Sequence, residues 1–406
     1  MKDRGRYSAP QEIEGVSTLA LGIGGVALIA WFVGLYFDPE QALRSWLLGF
    51  VFWAGIGIGS IGLLMLQFLT GGAWGVMLRR IFEAASRTLP VIVFMFVPLA
   101  VGVLYHAVYQ WTNLPPTDHA IEARGIYLLP WSWVLRSLVY FALFGVMVYL
   151  LNEWSARQDR TENYEDAASL LARMSRFSGP SMVIYALTVT FAAVDWTLTL
   201  DPLFFSTIWG LLFVIGWVLS CMCFSVTILA YLSDKVPMDH ILDKRHFHDI
   251  GKLMLAMVMV WAYFNLSQWL IIWSGNIPEE TIWYLTRMTP GWFTIGVILI
   301  LFHFAVPFLI LLQQDFKRKP KLLASLAVFI LFMRLVDMFF LIGPTPRINV
   351  PAGGQGAFIF SWLDIVGPIA IGGIWLWFFF GQLRSRPLVP VMDPFFQRAV
   401  EHGKGH

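Results

Sequence analysis

Ten stretches of roughly 20 predominantly apolar residues recur along this 406-residue chain, and each is long enough to cross the hydrocarbon of a bilayer as a helix. They fall near 16–37, 46–69, 89–109, 132–151, 181–200, 207–232, 253–273, 291–312, 322–342 and 358–380. Composition agrees. Apolar residues make up 58% and charged residues 13%, against about 25% charged in an average soluble domain. The sequence predicts an all-α integral membrane protein with ten transmembrane helices. The polar stretch 1–15 is not followed by a small-residue cleavage site, so the first span reads as a retained helix and not a signal peptide.

Loop charge gives the orientation, because Lys and Arg accumulate on the cytoplasmic side. Of the 28 Lys and Arg, only Arg44, Arg124, Arg287 and Arg347 fall on the face opposite the termini, and Arg136 and Arg334 fall inside spans. The others, from Lys2, Arg4 and Arg6 through to Lys404, lie on the face that both termini share. Both the N-terminal segment 1–15 and the tail 381–406 are therefore expected in the cytoplasm. One missed or invented span would scramble this split.

Several chemistries drop out. A net charge of +2 gives no reason to expect nucleic acid. Cys221 and Cys223 share one apolar run, too close along a helix to bridge comfortably, and an iron-sulfur cluster needs about four thiolates. The sequence carries no CxxCH haem attachment, no GxxxxGK[ST] loop and no GxGxxG after a strand. Redox or nucleotide chemistry is expected on another subunit, with no cofactor held by this chain.

Landmarks repeat. Asp195 precedes Pro202 by seven residues, and Asp337 precedes Pro344 by seven. His106 stands five before Trp111, Gln268 five before Trp273, and the loops that follow carry Arg124 before Pro130 and Arg287 before Pro290. Spans two to five (46–206) and six to nine (207–345) read as two parallel four-helix units, with spans one and ten added outside. Internal repeats of this kind set the architecture of many transport folds, although the pair of short or interrupted spans that marks broken-helix transporters is not apparent.

Ionisable residues inside spans are candidates for function by default. At about 1.5 Å per residue, Asp195, Arg136 and His106 all belong to the outer third of the membrane. Together they could hold a quinol hydroxyl or pass a proton. Equally, Arg136 and Asp195 could form a structural ion pair, with His106 satisfied by a backbone carbonyl. The second unit offers Asp337 at matching depth, Arg334 three residues before it and able to neutralise it locally, His303 in mid-helix, and Asp364 just inside the tenth span. The different depths of His106 and His303 argue against joint haem ligation. Gln67, Tyr149, Asn152, Glu153, Tyr231 and Asp315 sit at cytoplasmic helix ends, where they serve as interfacial anchors and caps or as one half of a gated proton path.

Two longer stretches carry a resemblance. FAAVDWTLTLDPLFFSTIWG (191–210) and HDIGKLMLAMVMVWAYFNLSQWLIIWSGNIPEETIWYLTR (248–287) resemble the quinol-oxidoreductase membrane subunits of the NrfD and polysulfide-reductase type. Within that group the chain is most similar to the shorter of the two such membrane subunits in bacterial alternative complex III. The resemblance implies a bacterial plasma-membrane complex that oxidises quinol and passes electrons to a periplasmic acceptor. Its partners would be a larger paralogous ten-helix subunit, an iron-sulfur subunit and multihaem and monohaem cytochrome c subunits, which hold the haem c and iron-sulfur clusters. The shorter membrane subunit is expected to conduct protons, with Asp195 as the acid of the DW motif and Asp337 as its counterpart. Where the family pattern often has His-Trp after DP, this chain has Leu203 and Phe204, which weakens the expectation of a quinol site here.

Overall fold

The computed structural model describes residues 7–115, 117–348 and 356–404; Lys2, Arg4 and Arg6, counted above for orientation, lie outside them. In chain order the α-helices are α1 (Glu12–Phe37), α2 (Pro39–Thr70), α3 (Ala73–Ser86), α4 (Leu89–Leu104), α5 (His119–Arg124), α6 (Pro130–Arg160), α7 (Tyr164–Trp196), α8 (Trp209–Leu232), α9 (Lys244–Gly275) and α10 (Pro278–Arg287). They continue as α11 (Trp292–Ile298), α12 (Val306–Leu312), α13 (Gln314–Lys317), α14 (Pro320–Ile342), α15 (Leu363–Arg384) and α16 (Phe396–Lys404). Among the described residues, nine continuous helical segments are long and apolar enough to cross a membrane, α11 to α12 counting as one. The pair α3 and α4, meeting at 41°, makes a tenth span. The protein is thus an all-α, multi-pass membrane protein.

The helix starts follow from local chemistry. Asp38 accepts a hydrogen bond from the Gln41 N–H, with Pro39 in the first turn of α2, and Asn163 caps α7 through the Glu165 N–H. Asp243 and His246 form a reciprocal capping box on α9. Proline also opens α6, α10 and α14, where its missing N–H costs nothing.

Two spans are interrupted, which the hydropathy does not reveal, and both breaks sit beside prolines. Pro90, in the first turn of α4, cannot donate to the carbonyl of Ser86, and the third span breaks there. In the eighth span Pro307 has no N–H for the carbonyl of His303, and residues Leu299–Ala305 widen into a π-helical turn around that histidine. The interruptions fall in the second helix of one expected unit and the third of the other. They do not form the matched pair that broken-helix transporters use.

The centre of the molecule is α2, whose apolar window is 94% buried, while that of α1 is 17% buried. Around α2 pack α3, α4, α7, α8 and α15, and α1 packs mainly on α15 while also touching α2 through Trp31. α8 in turn packs on α7, α9 and α14, so the expected units meet along the α2–α8 seam. Small residues permit these contacts: a Cβ on Gly24 of α1 would stand 2.7 Å from the Cα of Gly373 in α15.

Candidate functional site

Asp195 occupies the last turn of α7, at the end of the bundle remote from the termini. Its carboxylate has no exposed surface and accepts two hydrogen bonds from Arg136 of α6, from Nε at 2.8 Å and Nη2 at 2.9 Å. The Tyr140 hydroxyl donates to Oδ2 at 2.7 Å, and Tyr127 also bonds the carboxylate. Arg136 in turn donates to the Ser132 hydroxyl at 2.8 Å and lies over the Tyr127 ring, 3.8 Å from its centroid. Trp133 Nε1 and the Thr199 hydroxyl fix the Asp195 backbone carbonyl, and Trp133, Trp196, Phe96 and Phe141 wall the site with stacked and edge-on rings. The result is a bidentate, charge-assisted pair whose carboxylate is fully buried while the Arg136 side chain remains 21% exposed.

His106 does not join this site. α4 ends at Leu104, two residues before it, and His106 takes a left-handed conformation (φ 59°) with its ring exposed and Nδ1 2.8 Å from the Thr112 carbonyl. The depth expected for it presumed a helix continuing to Tyr109. That helix stops, and Tyr109 instead turns inward to donate to the Trp196 carbonyl at 2.8 Å.

The second carboxylate, Asp337 of α14, is also buried. Arg334, one turn earlier, donates Nη1 to Asp337 Oδ2, and Trp261 of α9 donates Nε1 to the same oxygen at 3.1 Å. The acid thus recurs, but its cation comes from its own helix instead of a neighbour. The Arg334 guanidinium fits against Gly216 of α8, where a Cβ would stand 2.2 Å from Nη2. His303, on the π turn, is fully buried and packs against Trp261, with ring centroids 3.9 Å apart and planes tilted by 33°. Neither His303 ring nitrogen nor Arg334 Nε reaches a hydrogen-bond partner among the described residues. The structure therefore brings His303, Trp261, Arg334 and Asp337 into one polar cluster inside the bundle.

Asp364 stands apart from both. It accepts from Gln41 Nε2 at 2.7 Å and from the Ser361 N–H at 2.9 Å, and Arg347 holds the other end of Gln41 at 2.6 Å. With Arg44 on the Thr345 hydroxyl at 2.9 Å, these contacts tie the start of α15 to α2 and to the segment after α14. Between the α7–α8 loop, α9 and α10, the residues Phe205, Ser206, Gln268, Ile271, Ile272 and Glu280 line a cavity of about 140 Å³, in which Ser206 donates to Gln268 Oε1 at 2.9 Å.

At the end that carries the termini, the sequence pattern presents Arg79 and Arg80 as loop charges, close to Glu83. They lie instead on α3, buried in the bundle. Arg79 donates to Glu83 at 2.9 Å, to Asp393 of the C-terminal tail at 2.6 Å, and to Ser155 and Gln158 at 2.9 and 2.8 Å. Arg80 bonds Glu83 at 2.6 Å and also Asp159. Of the six polar groups expected at this end, Asn152 faces the network and Gln67 is buried beside α3. Tyr149, Tyr231 and Asp315 are exposed, and Glu153 pairs with Arg157 on the surface.

Further residues of these sites, among them Tyr127, Tyr140 and Trp261, were not anticipated from the sequence. Tyr140 was legible, since four residues from Arg136 put it on the same helix face; Trp261 reaches Asp337 from another helix and left no such trace. No family model matches the sequence, and no curated protein does.

Proposed function

We propose that the chain is a proton-conducting membrane subunit of a quinol:electron-acceptor oxidoreductase of the alternative complex III type, set in a bacterial plasma membrane with both termini cytoplasmic. In this reading the electron-transfer centres, haem c and iron-sulfur clusters, reside on partners: a larger paralogous ten-helix subunit, an iron-sulfur subunit and cytochrome c subunits. The observation that carries it is the recurrence of one motif, a buried carboxylate held by a cation and an aromatic donor, at Asp195 and at Asp337. Ionisable groups inside a membrane mark proton and ion paths. A carboxylate whose charge is cancelled by an adjacent guanidinium stays ionised at little cost, and it takes a proton when the pair opens. Arg136, partly exposed, gives the first pair contact with the outer surface. The two-unit organisation belongs to the same reading.

The test is proton release per electron in the intact complex. Asp195→Asn and Asp337→Asn should lower it more than they lower assembly, and unchanged stoichiometry in an assembled complex sinks the proposal. A second reading, quinol binding by this chain, is supported by the 140 Å³ cavity beside Gln268 and Glu280, a volume close to that of an engineered cavity that holds benzene, about 150 Å³. Gln268→Leu would then weaken competition by a quinol analogue; an unchanged inhibition constant removes that reading.

A further inference from the structure

At the end that carries the termini, α6 and α7 enclose a shallow, open cleft of about 550 Å³ lined by Trp154, Ser169, Arg173, Arg176 and Phe177. Ser169, Arg173 and Arg176 follow one another at spacings of four and three on α7, which puts them on one helix face. Trp154 of α6 supports this face from below: the Arg173 guanidinium lies 4.8 Å from the Trp154 ring centroid, and Phe177 meets the same ring edge-on at 5.3 Å. Arg173 and Arg176 are exposed, and neither pairs with a carboxylate among the described residues. The closest acid in sequence to Trp154, Glu153, is already held by Arg157 at 2.9 Å. The apolar part of α7 begins near residue 181, so at about 1.5 Å per residue Arg176 lies roughly 7 Å and Arg173 roughly 12 Å outside it.

We infer that this cleft binds the phosphate of an anionic phospholipid. Two guanidiniums without acid partners, a hydroxyl above them and two aromatic rings below form a graded surface, charged toward water and apolar toward the bilayer, at headgroup depth. Arginine suits the task because its planar donor fork matches phosphate oxygens, and basic pockets between spanning helices on the cytoplasmic side recognise lipid headgroups in this way. The rings give the glycerol and first methylenes an apolar floor, which a soluble phosphate would not use. The inference is independent of the redox reading.

The test is native mass spectrometry of the full chain in mild detergent with equal amounts of dioleoyl phosphatidylglycerol and phosphatidylcholine. The wild type should retain phosphatidylglycerol preferentially, and Arg173→Gln/Arg176→Gln should weaken that binding roughly thirtyfold, at two basic residues each acting near the surface, with phosphatidylcholine unaffected. Both positions are exposed, so the variant should melt at the wild-type temperature without lipid, separating lost binding from lost fold. Phosphatidylglycerol binding undiminished in the double variant overturns the inference. So does an equal loss in the neighbouring surface variant Arg157→Gln, which would mean general surface charge, and so does displacement by glycerol phosphate as readily as by phosphatidylglycerol, which would mean a site for soluble phosphate.

Discussion

Arg136 and Asp195 form one ion pair, but removing either partner should not cost the same. Asp195 is fully buried while Arg136 is 21% exposed, so each deletion strands a different charge in a different medium. Arg136→Met leaves a carboxylate sealed among rings, with the hydroxyls of Tyr140 and Tyr127 as its remaining side-chain donors. Breaking a buried pair in this way costs about 3–5 kcal/mol, or somewhat less if the carboxylate takes a proton. Asp195→Asn leaves a guanidinium that still reaches water, keeps its bond to Ser132 and stays stacked over Tyr127. The loss is then close to that of a hydrogen bond to a charged group, about 1.5–3 kcal/mol. The double variant strands no charge, so its cost should fall below the sum of the singles by at least about 1 kcal/mol, as expected for groups in contact. Apparent melting temperatures in detergent, read from a thiol-reactive fluorogenic dye that labels the buried Cys221 and Cys223 on unfolding, give the order: Arg136→Met lowest, then the double variant or Asp195→Asn. If Asp195→Asn proves the more damaging single change, or if the double variant is additive, the partly wet guanidinium is not what sets the energetics here.

Gly216→Ala should drive a methyl group into the Arg334 guanidinium, 2.2 Å from Nη2, and push it off Asp337; a loss of about 1–3 kcal/mol is expected for such overpacking, and an unchanged melting temperature would contradict the packing described. His303→Phe keeps a ring on Trp261 but removes two buried nitrogens placed to hold bridging water, so it should cost about 0.5–1.5 kcal/mol; a neutral or stabilising change would mean that no water bridges those nitrogens in the native protein. Burial pushes the carboxyl of Asp201, in the loop between α7 and α8, above its ordinary value, although the N–H groups of Leu203 and Phe204 and the charge of Arg287 oppose the shift. The folded state then binds this proton more tightly than the unfolded chain, so ionised Asp201 costs stability, and the cost disappears as pH falls through the raised value. The melting temperature of the wild type relative to Asp201→Asn should therefore rise from pH 7 toward pH 4, and a flat or falling difference would reject it.

The spans were legible because about 20 apolar residues in a row have few alternatives to a membrane helix, and the meeting of Arg136 with Asp195 was legible because depth is nearly linear in sequence along a helix. That rule fails where a helix ends early. His106 was assigned to the outer cluster on the premise of a helix to Tyr109, and a left-handed turn two residues past Leu104 directs it away. Proline marked both interruptions, but Pro90 looks like an ordinary first-turn proline, and Pro307, inside the eighth span, looks no different from Pro98 and Pro180, which lie within helices that continue past them. Arg79 and Arg80 look like solvated loop charges because their partners, Ser155, Gln158 and Asp393, arrive from distant segments. Helix rotation decides whether Trp261 faces Asp337 or lipid, and rotation is set by packing along seams such as Gly216 against Arg334, not by local propensity.

Within the proposed function the two acids should not be equivalent. Asp195 is heavily satisfied: Arg136 bonds both oxygens, Tyr140 adds a donor to Oδ2, and Tyr127 bonds the carboxylate as well. Protonating it means undoing a bidentate pair and leaving several donors poorly matched. At Asp337 the Arg334 and Trp261 donors converge on one oxygen, and groups with hydrogen bonds still to give or accept, Arg334 Nε and both nitrogens of His303, belong to these same donors or to the ring packed on Trp261. Buried polar groups with unmet hydrogen bonds are where ordered water settles, and one water bridges two to four such groups. A chain through His303 and such bridges can hand a proton to Asp337 without breaking a bidentate pair. Asp337→Asn should therefore lower proton release per electron more than Asp195→Asn, and, because it strands the Arg334 guanidinium, whose side chain is only 2% exposed, it should also cost more in thermal stability. A larger loss of proton release in Asp195→Asn would mean that the tightly held acid is the carrier and that the looser cluster serves only packing.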